Sequence, residues 1–379
     1  MTYRTLLYYN RIVKTQRNSS IELLKIFAMI LICICHTLPF PTDGDGLFVT
    51  GTATTSVQHF FADCMGAAGL VGDVIFIVCS SYFLLDSKKI KIGKAVHMIL
   101  NTLFISLVFM TVFLIIGFEL GSFEIVKQIF PTVFQNNWFV TYYIIFYLIH
   151  PLLNRVIRCL DKTALGIMAS LLFVQTFILL LVQAKAPGIN KLLCFVSIYF
   201  IVAYFKFYGQ RFTQSKKLNI IVLISSVVLY YAMRIAVNFI GLKIYGNEEC
   251  PLFALFHINN PIILAFALSL FNLANRKYFV SRPINFISSL SLLFYLIHHN
   301  NLFEKFVQPE WHDWFARQFG ENAIVGDMLL FSLILFSSGM LIAAIYKLTA
   351  DRCTRFFADK VQIFVDNRLN KPSPPTAEN

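Results

Sequence analysis

The chain has 379 residues, 57% of them hydrophobic and only 14% charged, whereas soluble domains carry about 25% charged residues. That balance excludes a soluble globular protein and predicts an all-α, polytopic bundle in a membrane lipid bilayer. The net charge of +12 does not point to nucleic acid, because the basic residues follow the loops. Eight cysteines without a CxxC pair or ligand cluster point to no metal and no disulfide framework, with Cys64 and Cys250 the one pair that could form on a common predicted face.

Residues 1–18 carry Arg4, Arg11, Lys14 and Arg17 and no acid, a basic cytoplasmic arm. The apolar run that follows is too long for a signal-peptide core and has no small-residue cleavage pattern, which predicts a retained span. Ten apolar stretches of suitable length lie near 20–39, 66–85, 92–118, 138–153, 164–183, 192–208, 218–241, 253–273, 283–303 and 326–347, so that 19–348 form one ten-span domain. Of the 32 Lys and Arg, 24 fall on the two tails and the loops of their side, 6 fall on the opposite loops, and Lys25 and Arg234 lie within spans. By the positive-inside rule both termini are expected in the cytoplasm. Past the last span, Phe357, Val361, Phe364 and Val365 recur at helical spacing among Arg352, Arg355 and Lys360, predicting an amphipathic cytoplasmic helix over 349–370. The proline-rich 371–379 reads as a disordered tail.

The first span carries the chemistry. Lys25 and His36 are eleven residues apart, about 1100° of helix at ~100° per residue and so only ~20° past three turns. Glu22 lies three residues before Lys25, which puts all three on one helix face. A charged face in lipid costs on the order of 3 kcal/mol per charge, so it must look into protein or water. A structural ion pair with an interfacial histidine satisfies that requirement, and so does a catalytic cavity. With the first span running outward, His36, Asp73, Arg234, His298 and Tyr142 come to about one depth on the outer side.

Four stretches resemble acyltransferase family three, integral-membrane enzymes that acylate glycans and other surface molecules. Lys25-x10-His36 resembles its basic-x10-His motif, with lysine where arginine is common. Gly72-Asp73 through Tyr82-Phe83 is similar to its second-span signature, Trp138 to Tyr142 through Pro151 to Asn154 to its aromatic middle span, and Ser289-Leu290-Ser291 to Tyr295-Leu296-Ile297-His298 to its late segment. An Arg-x-x-Arg pair that some members carry near the second and third spans is missing. Only Lys88, Lys89, Lys91 and Lys94 stand there.

The resemblance implies transfer of an acyl group, acetyl being expected, from acyl-CoA to a hydroxyl of a cell-surface glycan or its lipid-linked precursor, in a bacterial inner membrane. Such a reaction needs a base for the hydroxyl proton and positive charge for the oxyanion. His36 is the candidate base, since the ordinary histidine pKa lies near neutrality. Asp73 is expected to orient an imidazole or to pair with Arg234. Arg234 is a candidate for the oxyanion or an acidic sugar, and His298 for catalysis or for a buried hydrogen bond. Lys25, steadied by Glu22, is the candidate contact for a CoA phosphate, some 16 Å from His36 at ~1.5 Å per residue. Trp138 and Tyr142 are candidate acceptor contacts, and Trp311 and Trp314 either stack on sugar or anchor at the interface. The rival reading is a glycan or lipid transporter or flippase, which often shows repeats and helices broken at mid-membrane.

Overall fold

The computed structural model describes residues 17–39, 54–87, 89–181, 187–246, 250–320 and 322–369. Most of the basic arm and the 371–379 tail lie outside these residues. Every described element is helical, and eight segments are long and apolar enough to cross a membrane.

Asn18 opens the first helix, α1 (Ser19–His36), by accepting from the Ser20 amide at 3.1 Å. A short α2 (Val57–Gly66), capped by Ser56, leads straight into α3 (Ala68–Leu84). Helices α1 and α3 pack tightly because two glycines face α1. A Cβ on Gly72 would lie 2.5 Å from the Ala28 carbonyl oxygen, and one on Gly69 would lie 2.3 Å from Cys35 Cβ. In a bilayer, where lipid is as apolar as leucine, such close backbone approach is what holds helices together.

The bundle continues through α4 (Ile92–Ile115), a short amphipathic α5 (Ser122–Ile129), α6 (Trp138–Cys159), α7 (Lys162–Leu181) and α8 (Pro187–Tyr208). A five-residue α9 (Gln210–Gln214) precedes α10 (Lys216–Ile244). Helices α7 and α10 are peripheral and present Leu171, Val174, Val228 and Phe239 outward, as lipid-facing helices should.

Two of the ten expected spans are not continuous long helices. The stretch 253–273 begins as a 3₁₀ turn, and its α-helix, α11 (Pro261–Asn275), starts only where Asn260 caps Ile262 and Ile263. The stretch 283–303 is broken into α12 (Arg282–Ser289), α13 (Ser291–His298) and α14 (Asn301–Phe306). Breaks at Leu290 and at His299-Asn300 interrupt it. Non-helical backbone at membrane depth is tolerated where it is buried in protein or lines a cavity, and Ser288, Ser289 and Ser291 do line one. Helix α15 (Gln308–Phe319) caps the His36 end of the bundle, α16 (Ile324–Leu348) crosses back, and α17 (Asp351–Leu369) is the expected C-terminal helix. Helix α17 runs antiparallel against the first turns of α4, where Gly93 donates its amide to Gln362 Oε1 at 2.8 Å. Its other side exposes Phe356, Phe357, Ile363 and Phe364. Cys64 and Cys250 are both free thiols, so the suggested disulfide is not formed.

Candidate active site

A cavity of about 430 Å³ runs along the bundle between α1, α3, α4, α6, α13 and the α16–α17 junction. Helix α1 lines it with Glu22, Lys25, Met29 and Ile32. His36 is the next residue of that stripe, so the expected common face of Lys25 and His36 is present. One end of the cavity is basic, with Arg17, Lys25, Lys94, Lys347 and Arg355. Its walls are Phe76, Phe139 and Tyr143, and the lining also includes Asp73 and Tyr295.

At the basic end Lys25 Nζ meets Glu22 Oε1 at 3.1 Å, and Glu22 Oε2 accepts from Ser288 Oγ at 2.5 Å. Glu22 therefore ties Lys25 to the end of α12 beside the Leu290 break. Ser19 Oγ, bonded to Asn285 Oδ1 at 2.8 Å and accepting from the Ser281 amide at 2.7 Å, fixes the same two helices one turn lower.

Beyond Tyr295, at the other end of the lining and not themselves part of it, His36 and two further histidines form a cluster. His36 Nδ1 and His298 Nε2 are 3.0 Å apart, and His298 Nδ1 lies 2.8 Å from the Phe294 carbonyl oxygen. A carbonyl only accepts, so His298 Nδ1 carries the proton and, in the neutral ring, Nε2 accepts. His36 Nδ1 must then donate, which leaves the lone pair on His36 Nε2. Sequence reasoning stopped at His298 and missed His299, the next residue, whose ring stacks on His36 with centroids 4.2 Å apart. His299 Nδ1 bonds to Glu304 Oε1, and Tyr295 packs 6.1 Å from His36 and 5.3 Å from His299. Gln308 donates to the carbonyls of His36 and Leu38, at 2.9 and 3.2 Å, and so closes the end of α1. Ligand atoms of His36, His299 and Glu304 lie within 4.8 Å of one another, making them the group among the described residues that could hold a metal ion.

The remaining predicted residues divide. Asp73 lines the cavity. The expected Asp73–Arg234 pair is not made. Arg234 is buried on α10, pairs with Asp63 of α2 and lies over the Phe256 ring at 4.4 Å. A buried guanidinium in lipid needs a carboxylate and a ring face, and Asp63 lies on a helix ten residues before Asp73, in a segment that reads as loop by hydropathy alone. Trp138 and Tyr142 are buried outside the cavity lining. Lys191 sits over the Trp138 ring at 4.7 Å, and Tyr142 donates to Gln135 at 2.8 Å. Helix α6 offers Phe139, Val140 and Tyr143 to the cavity instead. Cys33 packs against the Ser332 carbonyl at 3.8 Å. Trp311 and His312 both bond to Asp327, at 2.7 and 2.6 Å, which pins α15 to α16 and leaves Trp314 as the more exposed ring.

Comparison with curated proteins and with solved structures gives no match to the chain. A family model described as an acyltransferase domain, that of acyltransferase family three, matches residues 18–348. That range takes in all four motif stretches, the paired histidines and most of the cavity lining, with Arg17, Asp351 and Arg355 outside it, and the chain belongs to acyltransferase family three.

Proposed function

We propose that this multi-pass membrane acyltransferase moves an acyl group, acetyl in the simplest case, from acyl-CoA to a hydroxyl of a cell-surface polysaccharide or its lipid-linked precursor, in a bacterial inner membrane. The observation that carries this reading is the relay from the Phe294 carbonyl through His298 to His36, which leaves one imidazole lone pair available to a substrate proton. The acceptor hydroxyl gives its proton to His36 Nε2 as its oxygen attacks the thioester carbon. The carbon–sulfur bond then breaks, and the proton leaves with the CoA thiolate. The separation of Lys25 from His36, about 16 Å along α1 at ~1.5 Å per residue, is comparable to an extended pantetheine arm. Lys25 therefore suits a phosphate of a donor whose thioester lies near His36. Cytoplasmic CoA would enter at the basic end and the acceptor at the histidine end, which fits the loop charges with both termini inside.

One observation favours the rival reading of a carrier, namely the broken 283–303 stretch beside the cavity. The deciding experiment compares purified wild type with His36→Gln for acetyl transfer to surface glycan from cells lacking the gene, and for acetyl-CoA binding. Glutamine keeps hydrogen bonding and approximate size and cannot shuttle a proton. Transfer should fall by roughly 10²–10⁴-fold with donor binding retained. Normal transfer by His36→Gln would remove histidine from the mechanism and reinstate the carrier.

A further inference from the structure

The acidic hub Asp351 lies just beyond the residues that the family domain covers, in the first turn of α17. Its carboxylate is almost fully buried and gathers three basic side chains. Lys347 Nζ and Arg355 Nη2 meet Oδ2 at 2.9 and 3.0 Å, and His97 Nε2 meets Oδ1 at 2.9 Å. Asn101 adds a bond to Oδ1 at 3.4 Å, and Thr354 and Tyr346 both donate to Asn101 Oδ1. Such a network fixes side chains that would otherwise wander in water. Arg355 nevertheless remains 54% exposed, and Lys347, Arg355 and Asp351 all line the cavity. One carboxylate cannot neutralise two cations, so a surplus of positive charge faces the cavity here.

Depth separates this cluster from Lys25. Ser332 of α16 touches both Cys33 and Thr37 of α1, at 3.8 and 2.5 Å. From that level Lys25 lies eight to twelve residues away, roughly 12–18 Å, and Lys347 fifteen residues away, roughly 22 Å. The two cationic sites form tiers about one to two helical turns apart, the Lys347–Arg355 tier being farther from His36. A CoA thioester has the same order of charges: acyl carbon, uncharged pantetheine, diphosphate, then a ribose with a terminal 3′-phosphomonoester.

We infer that Lys347 and Arg355, held in place by Asp351, form a second phosphate subsite that takes the 3′-phosphomonoester of the CoA donor, beyond Lys25 at the diphosphate. The inference rests on the acyl-CoA reading above and extends the donor site into α17, outside the family domain. Helix α17 is docked closely here, since a Cβ on Gly93 would lie 2.8 Å from the Ala358 carbonyl oxygen, and Arg355, one turn before Ala358, lines the cavity.

The test uses the full chain in nanodiscs of neutral lipid, titrated with CoA and with 3′-dephospho-CoA. Wild type should bind CoA the more tightly. Arg355→Ala should weaken CoA binding roughly tenfold, the scale of one charge-assisted hydrogen bond, and leave dephospho-CoA unchanged, so that the preference collapses. Arg352→Ala, on the same helix but outside the cavity lining, should keep the preference and so controls for net charge. A preference that survives Arg355→Ala, or an equal loss toward both ligands, overturns the subsite while the acyl-CoA reading stands. Wild type that binds neither ligand overturns both. Unchanged CoA binding with weaker attachment of Arg355→Ala to phosphatidylglycerol vesicles assigns the cluster to lipid phosphate and overturns the donor contact.

Discussion

Replacing His298 by phenylalanine isolates the acceptor that fixes the His36 tautomer. The His298 ring stacks on Phe294 with centroids 4.4 Å apart and an interplanar angle of 18°, an arrangement a benzene ring can occupy. The substitution therefore keeps the packing and removes the nitrogen 3.0 Å from His36 Nδ1. His36 then loses the partner that holds its proton on Nδ1, and a buried N–H left without an acceptor costs about 1–3 kcal/mol. If that loss falls on the transition state, kcat drops by roughly 5- to 150-fold, at 1.36 kcal/mol per factor of ten. The donor KM should not move, because His298 contacts His36, about three turns along α1 from Lys25. His298→Gln, whose amide oxygen can accept from Nδ1, should retain more activity although it is the poorer fit to the stack. The assay is initial-rate transfer of radiolabelled acetyl from acetyl-CoA to surface glycan by purified protein. An unchanged kcat in His298→Phe, or Gln falling below Phe with both folded, would refute the relay.

Lys25→Ala should weaken acyl-CoA binding and Lys25→Arg should restore most of it, and calorimetric titration at two salt concentrations should show a smaller salt dependence in the alanine variant. Gly72→Ala places a methyl 2.5 Å from the Ala28 oxygen and 2.7 Å from Ile32, so α1 must shift from α3; a loss of about 1–3 kcal/mol should appear as a lower Tm in detergent together with reduced transfer. Burial alone would raise the Asp351 carboxyl pKa, but Lys347, His97 and Arg355 outweigh it and hold the group below its ordinary range. The folded value is thus below the unfolded one, so this stabilisation is complete above about pH 4 and is lost as pH falls through the folded pKa; Asp351→Asn should lower Tm at pH 7 and flatten its decline in acid. Reporter fusions after Lys89 and Lys217 should read cytoplasmic and fusions near Asp45 and Glu248 external, and a reversal at two of these would undo the assignment of donor and acceptor to opposite sides.

The parts of the site that were legible in the sequence are those fixed by helical phase. Eleven residues from Lys25 to His36 can only put both on one stripe, and Glu22, Met29 and Ile32 fall on it as well. Phase also bears on Trp138 and Tyr142, which stand outside the cavity lining. They share a face four residues apart, but so do Phe139 and Tyr143, and periodicity does not say which of two adjacent aromatic stripes meets the cavity. Arg234 was legible as buried and costly, while its partner was not. Asp63 and Asp73 are both within a chain's reach, and only the tertiary fold, which brings Arg234 to Asp63, decides between them. Within 283–303 nothing announces the breaks. Leu290 is a good helix former flanked by serines, and the interruption comes from tertiary contacts, with Ser288 bonded to Glu22 and Asn137 donating to the His299 carbonyl at 2.7 Å.

Those same breaks account for how one short segment serves both ends of the cavity. Helix α12 delivers Ser288 to Glu22, and thereby positions Lys25 at the basic end. After Leu290, α13 carries Tyr295 into the cavity lining and His298 to His36. After His299 the Asn300 cap turns the chain into α14, so that Glu304 returns to His299. A straight helix would set Glu304 about 7.5 Å along the axis from His299 and about 140° round it, on another face and away from the His299 ring. The broken form is therefore required by the contacts it makes within one static site. The breaks thus have a role in shaping the acyltransferase site itself, apart from the transport path they would mark in a carrier.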